Sequence, residues 1–108
     1  MTSLRLVNGT AKEEGNVVLN GRPICDDGWS VAAAGVLCRM LGFPGAHAAT
    51  GESFFGQAPP HFIATAVHCL GDEETILDCN YSTNVNDCTN GEVSGVICQS
   101  KYFCTVTA

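Results

Sequence analysis

The chain has 108 residues, a net charge of −6, 45% apolar residues and 15% charged ones, which suits one small folded domain and excludes both two separate cores and intrinsic disorder. An acidic chain without a basic cluster repels phosphate backbones and anionic head groups, so direct nucleic-acid binding is excluded, and no apolar run approaches a membrane span. Seven cysteines in so short a chain point to a disulfide scaffold made in an oxidising compartment, not to a cytosolic enzyme.

Leu4 to Val7 and Val17 to Leu19 read as short strands around a charged turn that contains Gly15, a hairpin-like start. Asn20-Gly21 and Pro23 punctuate the chain before Ile24-Cys25, and Asp26-Asp27-Gly28 is a further turn. Pro23 lacks an amide hydrogen, so a strand through it is an edge or is interrupted. Ser30 reads as an N-cap, and Val31 to Leu41 has a helical period with Ala34, Leu37, Cys38 and Leu41 on one face. Gly42 suits the left-handed residue that ends a helix, and Pro44 cannot continue one. Trp29, beside the helix start, reads as a core or cleft residue.

Phe43 to Phe62 is rich in Gly, Ala and Pro, shows neither period, and reads as a long loop. Adjacent Phe54 and Phe55 cannot both turn inward easily if the segment is extended, so one of them is a candidate for exposure to a partner. Ile63 to Cys69 reads as a strand, Asp72 as the cap of one or two helical turns reaching Asp78, and Ser94 to Gln99 as a strand. Asp72-Glu73-Glu74 would then place favourable charge at a helix N-terminus.

The cysteines stand at 25, 38, 69, 79, 88, 98 and 104, the nearest pair six positions apart. Structural zinc sites draw on closely spaced pairs such as C-x-x-C, so these cysteines read as disulfides with one left over. Six cysteines admit fifteen pairings, and spacing does not choose among them.

Four stretches carry a resemblance. Cys25-Asp26-Asp27-Gly28-Trp29, then Leu37-Cys38-Arg39-Met40-Leu41-Gly42-Phe43, then Cys69-x-Gly71-x-Glu73 with Leu77-Asp78-Cys79, then Gly95-Val96-Ile97-Cys98, resemble the scavenger receptor cysteine-rich (SRCR) family from residue 4 to residue 99. The resemblance implies an α+β fold in which a curved antiparallel sheet cradles one main α-helix, with a short second helix. Residues 1–3 and 100–108 would flank the domain as linkers. It implies the pairs Cys25 with Cys88, Cys38 with Cys98, and Cys69 with Cys79, and leaves Cys104 unpaired or joined to an adjoining domain of the parent chain.

It also implies a cation site. Ligand-binding members build one from the two acids after the first cysteine and a glutamate before the last, positions matched here by Asp26, Asp27 and Glu92. A Cys25–Cys88 bond holds its Cα atoms about 5 to 6 Å apart, with Asp26 and Asp27 beside one cysteine and Glu92 beyond the other. Hard oxygen ligands suit Ca²⁺, which extracellular modules bind at roughly 10⁻⁴ to 10⁻³ M. Three carboxylates leave coordination positions for a partner's carboxylate, sulfate or phosphate. The plainer alternative is a turn at Asp26-Asp27 and a solvated Glu92. The chain departs from the family pattern at Gly21-Arg22-Pro23-Ile24, and Thr65-Ala66, Val93 and Ser30 replace acids that serve a second cation site in some relatives, so a second site is not expected.

Two functions follow from the resemblance. One is an extracellular, calcium-dependent module recognising a protein or polyanionic ligand. The other is a structural or substrate-positioning domain of a mosaic extracellular enzyme, serine protease or lysyl-oxidase-like. Catalysis by the domain is not expected, because His47, His61 and His68 come without a nucleophile elbow, a metal-ligand pair or a phosphate loop. Asn8-Gly9-Thr10 and Asn80-Tyr81-Ser82 match the N-glycosylation pattern, with Asn8 and Asn80 as acceptors.

Overall fold

The computed structural model describes residues 3–58 and 61–100; Cys104 and the tail from Lys101 to Ala108 lie outside the described residues. Along the chain run β1 (Leu4–Val7), β2 (Glu14–Leu19), β3 (Arg22–Pro23), α1 (Val31–Met40), β4 (Ala46–Thr50), β5 (Thr65–His68), a 3-10 turn (Ile76–Asp78), β6 (Asn80–Ser82) and β7 (Gly95–Cys98). The main sheet has the order β1-β2-β7-β4, with β3 also on β2, and β5 and β6 form a second, two-stranded sheet. Every strand pair is antiparallel. This is the α+β architecture of antiparallel sheets and one helix that the resemblance implies.

The β2–β3 link is a two-residue turn in which Asn20 and Gly21 have φ of 52° and 81°, the left-handed pair that matches the twist of a tight hairpin. Leu19 therefore faces Arg22, and Pro23 pairs with Val18 before the strand ends. Ser30 caps α1 by accepting from the Ala33 amide at 3.5 Å. Gly42, with φ of 93°, ends it. The helix buries Ala33, Ala34, Val36, Leu37 and Cys38, and these small and branched side chains seat it on β4 and β7. There they join Val17, Leu19, Ile24, Val67, Ile76 and Val96 in one core. A smaller cluster of Cys25, Phe62 and Val93 lies beside it.

Three disulfides fasten this arrangement. Cys38–Cys98 ties α1 to β7 with Cα atoms 5.6 Å apart. Cys25–Cys88 spans 6.1 Å between Cα atoms, and Cys69–Cys79 closes the segment between β5 and β6 at 4.8 Å.

Two expectations need correction. The segment Phe43 to Phe62 is not loop throughout, because it contains β4, which pairs with β7 from Ala46↔Cys98 to Thr50↔Gly95 across a bulge. Asp72 does not cap a helix. Thr75 caps instead, its Oγ1 accepting from the Leu77 amide at 3.2 Å, and the second helix shrinks to a single 3-10 turn. The residues before it are held otherwise: the Glu73 carboxylate accepts from the amides of Leu70 at 2.8 Å and Gly71 at 2.9 Å. Arg39, on α1, donates to the carbonyls of Gly71 and Glu73 at 2.7 and 3.1 Å.

The amides of Leu70 and Gly71, with a smaller contribution from Arg39, hold the Glu73 carboxyl below the usual glutamate range. A carboxyl depressed in the folded state stabilises fully above its unfolded pKa, and the contribution is lost as pH falls through the folded value. Glu73→Gln should therefore lower the urea midpoint at pH 7, and the gap to the parent protein should close between pH 5 and pH 2. A gap that stayed constant over that range would assign the effect to packing.

Candidate cation site

The site is built around Cys25. An isolated antiparallel bridge sets Cys25 opposite Val93, and the Asp26 amide donates to the Glu92 carbonyl at 2.9 Å. The residues flanking Cys25 and those preceding β7 thus run side by side, and the Cys25–Cys88 bond closes the same junction. Asp26 then opens a turn, its carbonyl accepting from the Trp29 amide at 2.9 Å. Gly28, with φ of 77°, carries the chain into α1. The indole of Trp29 donates to the Gly95 carbonyl at 2.9 Å, which pins this turn to the sheet; Trp29 is half-buried against the core.

Two neighbouring loops fix the carboxylates. Oδ2 of Asp26 accepts from the Glu52 amide at 2.6 Å. Gly51 permits that approach, since a Cβ there would lie 3.0 Å from the same oxygen. Ser53 anchors the loop, its amide donating to the Val93 carbonyl at 3.1 Å and its hydroxyl to the Asn90 carbonyl at 2.7 Å. On the other side, Oε1 of Glu92 accepts from the amide and hydroxyl of Thr89 at 2.9 and 3.2 Å. One oxygen of Asp26 and one of Glu92 are thereby held, and each carboxylate has a second oxygen to offer.

Asp26, Asp27 and Glu92 each place one oxygen within 4.8 Å of the others; Asp27 is exposed and the other two are half-buried. Calcium–oxygen distances of about 2.3 to 2.6 Å allow two ligands of one ion to lie up to roughly 5 Å apart. The three oxygens therefore fit a single Ca²⁺. Sulfur is not part of the set: Cys25 lies within the same reach of all three acids and Cys88 within reach of Asp27, but the two are bonded to each other, as are Cys69 and Cys79 beside Glu73, and a metal needs the thiolate.

The second-site positions are committed to structure. Ser30 caps α1, Val93 is buried in the smaller core cluster, and Thr65-Ala66 lies in β5, where Ala66 has φ of 53°. His47, His61 and His68 are all exposed. Phe54 is 66% exposed and meets Phe55 edge to face, ring centroids 4.9 Å apart. Asn8 and Asn80 are exposed. Sequence reasoning missed the loops that position the acids, Gly51 to Ser53 and Thr89. The Thr89-x-x-Glu92 spacing was the available signal, since a hydroxyl residue three positions before a glutamate is the pattern of a reciprocal cap.

Fold, staples and motif order together define a small extracellular-type disulfide domain, and comparison gives the family. The model for the scavenger receptor cysteine-rich domain matches residues 7–99, and the chain belongs to that family. It is 41% identical over 102 residues to a scavenger receptor cysteine-rich domain superfamily protein of Patiria pectinifera, a match that covers 90% of this chain and 9% of that protein. The chain thus spans about a tenth of that relative's length. Among solved structures it resembles the third SRCR domain of murine neurotrypsin, with a TM-score of 0.79 and 36% identity over 94% of this chain and 100% of that one. It also resembles the SRCR domain of mouse MARCO in its dimeric form, with a TM-score of 0.67 and 28% identity over 92% of this chain and 89% of that one. Among the described residues no helix is long and apolar enough to cross a membrane.

Proposed function

We propose that this domain is an extracellular binding module that takes up Ca²⁺ on Asp26, Asp27 and Glu92 and recognises a protein or polyanionic partner through the ion's open positions. The observation that carries the reading is the approach of those three carboxylates to within 4.8 Å. Three negative groups so close repel one another in the empty site, and a divalent ion removes that repulsion. Because the acids occupy only part of a six- to eight-fold shell, a carboxylate, sulfate or phosphate from the partner completes it. An acidic domain thereby gains affinity for an acidic ligand. The three disulfides support an extracellular location, and Asn8 and Asn80 are the candidate glycan acceptors.

The test is a CaCl₂ titration followed by thermal unfolding. With a dissociation constant of roughly 10⁻⁴ to 10⁻³ M, about 10 mM calcium should stabilise the fold by about 1.4 to 2.7 kcal/mol and raise Tm by several degrees. Asp27→Ala removes an exposed ligand and should abolish the shift while leaving the metal-free Tm nearly unchanged. No shift at 10 mM, or a full shift in Asp27→Ala, would reject the site.

A second reading, a tethered positioning domain within a larger extracellular enzyme, is favoured by the match to the third SRCR domain of neurotrypsin and by the 9% share of the Patiria protein. Its mark would be a disulfide from Cys104 to a neighbouring domain in the secreted parent protein.

A further inference from the structure

A second concave site lies between the two sheets. It is a cavity of about 150 Å³ whose floor is the buried side chains of Leu19, Ile24, Ala64, Val67 and Ile76. Leu77 and Tyr81 also line it, and they are 47% and 49% exposed, so they form its mouth. Asn20 and Thr83 complete the lining of this open pocket, whose volume matches that of a cavity accommodating one benzene ring, whereas pockets that enclose a whole small-molecule ligand run to roughly 300–1,000 Å³. The space therefore takes a single ring whose remainder stays outside. The exposed Leu77 and Tyr81 give that remainder apolar surface to rest on, as the rim around a buried anchor residue does at protein interfaces. The Cys69–Cys79 bond and the Thr75 cap fix the segment that carries the mouth, which limits the ordering cost of binding.

Charge narrows the occupant further. Asp78, directly after Leu77, is exposed, and the chain carries 11 acidic residues against 5 basic ones. We infer that this cavity is an anchor pocket for an aromatic side chain of a protein partner, flanked in that partner by basic residues. The pocket is independent of calcium and of the three carboxylates described above.

The isotope-labelled domain would be titrated with acetyl-Arg-Phe-Arg-amide, acetyl-Arg-Ala-Arg-amide and toluene, following amide resonances in calcium-free buffer. The phenylalanine peptide should move the resonances of Leu19, Ile24, Val67 and Ile76 and bind roughly tenfold or more tightly than the alanine peptide, the difference expected from burying one ring. Ala64→Leu, which fills the floor, should weaken it at least roughly fivefold, and Leu77→Ala, a surface change that leaves the fold intact, roughly threefold. Equal affinity for the two peptides would overturn the assignment. So would unchanged binding in Leu77→Ala, or toluene shifting the floor resonances while the phenylalanine peptide leaves them still.

Discussion

Reducing agent should unfold this domain at 37 °C, and the three bridges should matter in the order of the loops they close. Cys25–Cys88 and Cys38–Cys98 join residues 63 and 60 positions apart, and Cys69–Cys79 residues 10 apart. In the chain-entropy account each long bridge stabilises by about 4 kcal/mol and the short one by about 3 kcal/mol. Whole domains of this size have only about 5–15 kcal/mol in total. Losing all three therefore removes an amount comparable to the entire stability. Far-UV circular dichroism with and without dithiothreitol should show the cooperative transition only in the oxidised protein. The double variant Cys38→Ala/Cys98→Ala should melt well below Cys69→Ala/Cys79→Ala. A reduced domain that kept its transition within a few degrees would mean that the apolar core suffices without the bridges.

Gly95→Ala should be strongly damaging although it adds a single methyl group. Gly95 lies in β7 between Asn16 of β2 and Thr50 of β4. A Cβ there would overlap Thr50 Oγ1, come within 2.8 Å of the Gly15 carbonyl oxygen and 3.2 Å of the Phe55 ring. Rotation of the Thr50 hydroxyl relieves only the first contact, because the Gly15 carbonyl belongs to the β2 ladder and cannot step aside without breaking it. Overpacking of this kind costs up to about 3 kcal/mol, a Tm loss on the order of 10 °C or more for a domain of this length. The damage should reach the acids as well. Phe55 sits on the loop whose Glu52 amide holds Asp26, so displacing it should weaken the calcium response beyond the loss of stability. Urea unfolding reads the first effect and the Glu52 amide resonance the second; an unchanged midpoint would mean that the strands have slack at this crossing.

The helix was legible because every local signal agreed: a serine cap, a run of small and branched residues on one face, then Gly42 and Pro44. The strand β4 was not. Ala46-His47-Ala48-Ala49-Thr50 offers neither large alternating side chains nor strong strand formers, and it is extended only because β7 pairs with it while α1 covers it. In β6 the polar residues Asn80 and Ser82 gave equally little. The Asp72 cap failed because the neighbouring Glu73 found two nearer amides, which turned the segment into a loop and moved the cap to Thr75. Asp26, Asp27 and Glu92 stood out as types of residue, but their convergence depends on the Asp26–Glu92 backbone bond and on which cysteines meet, neither of which has a local pattern.

The central position of β7 sets the timing of biogenesis. Among the described residues it is the last strand of the main sheet in sequence, and it lies between β2 and β4 in space. A nascent chain in an oxidising compartment can form the first hairpin and seat α1 on β4 early, yet these two halves of the main sheet are joined only when residues 95–98 arrive between β2 and β4. Ordering is therefore deferred to the end of translation of this segment, and until then the cysteines that belong with Cys88 and Cys98 are open to mispairing. Yield in a heterologous host should accordingly depend on disulfide isomerase more than on oxidant.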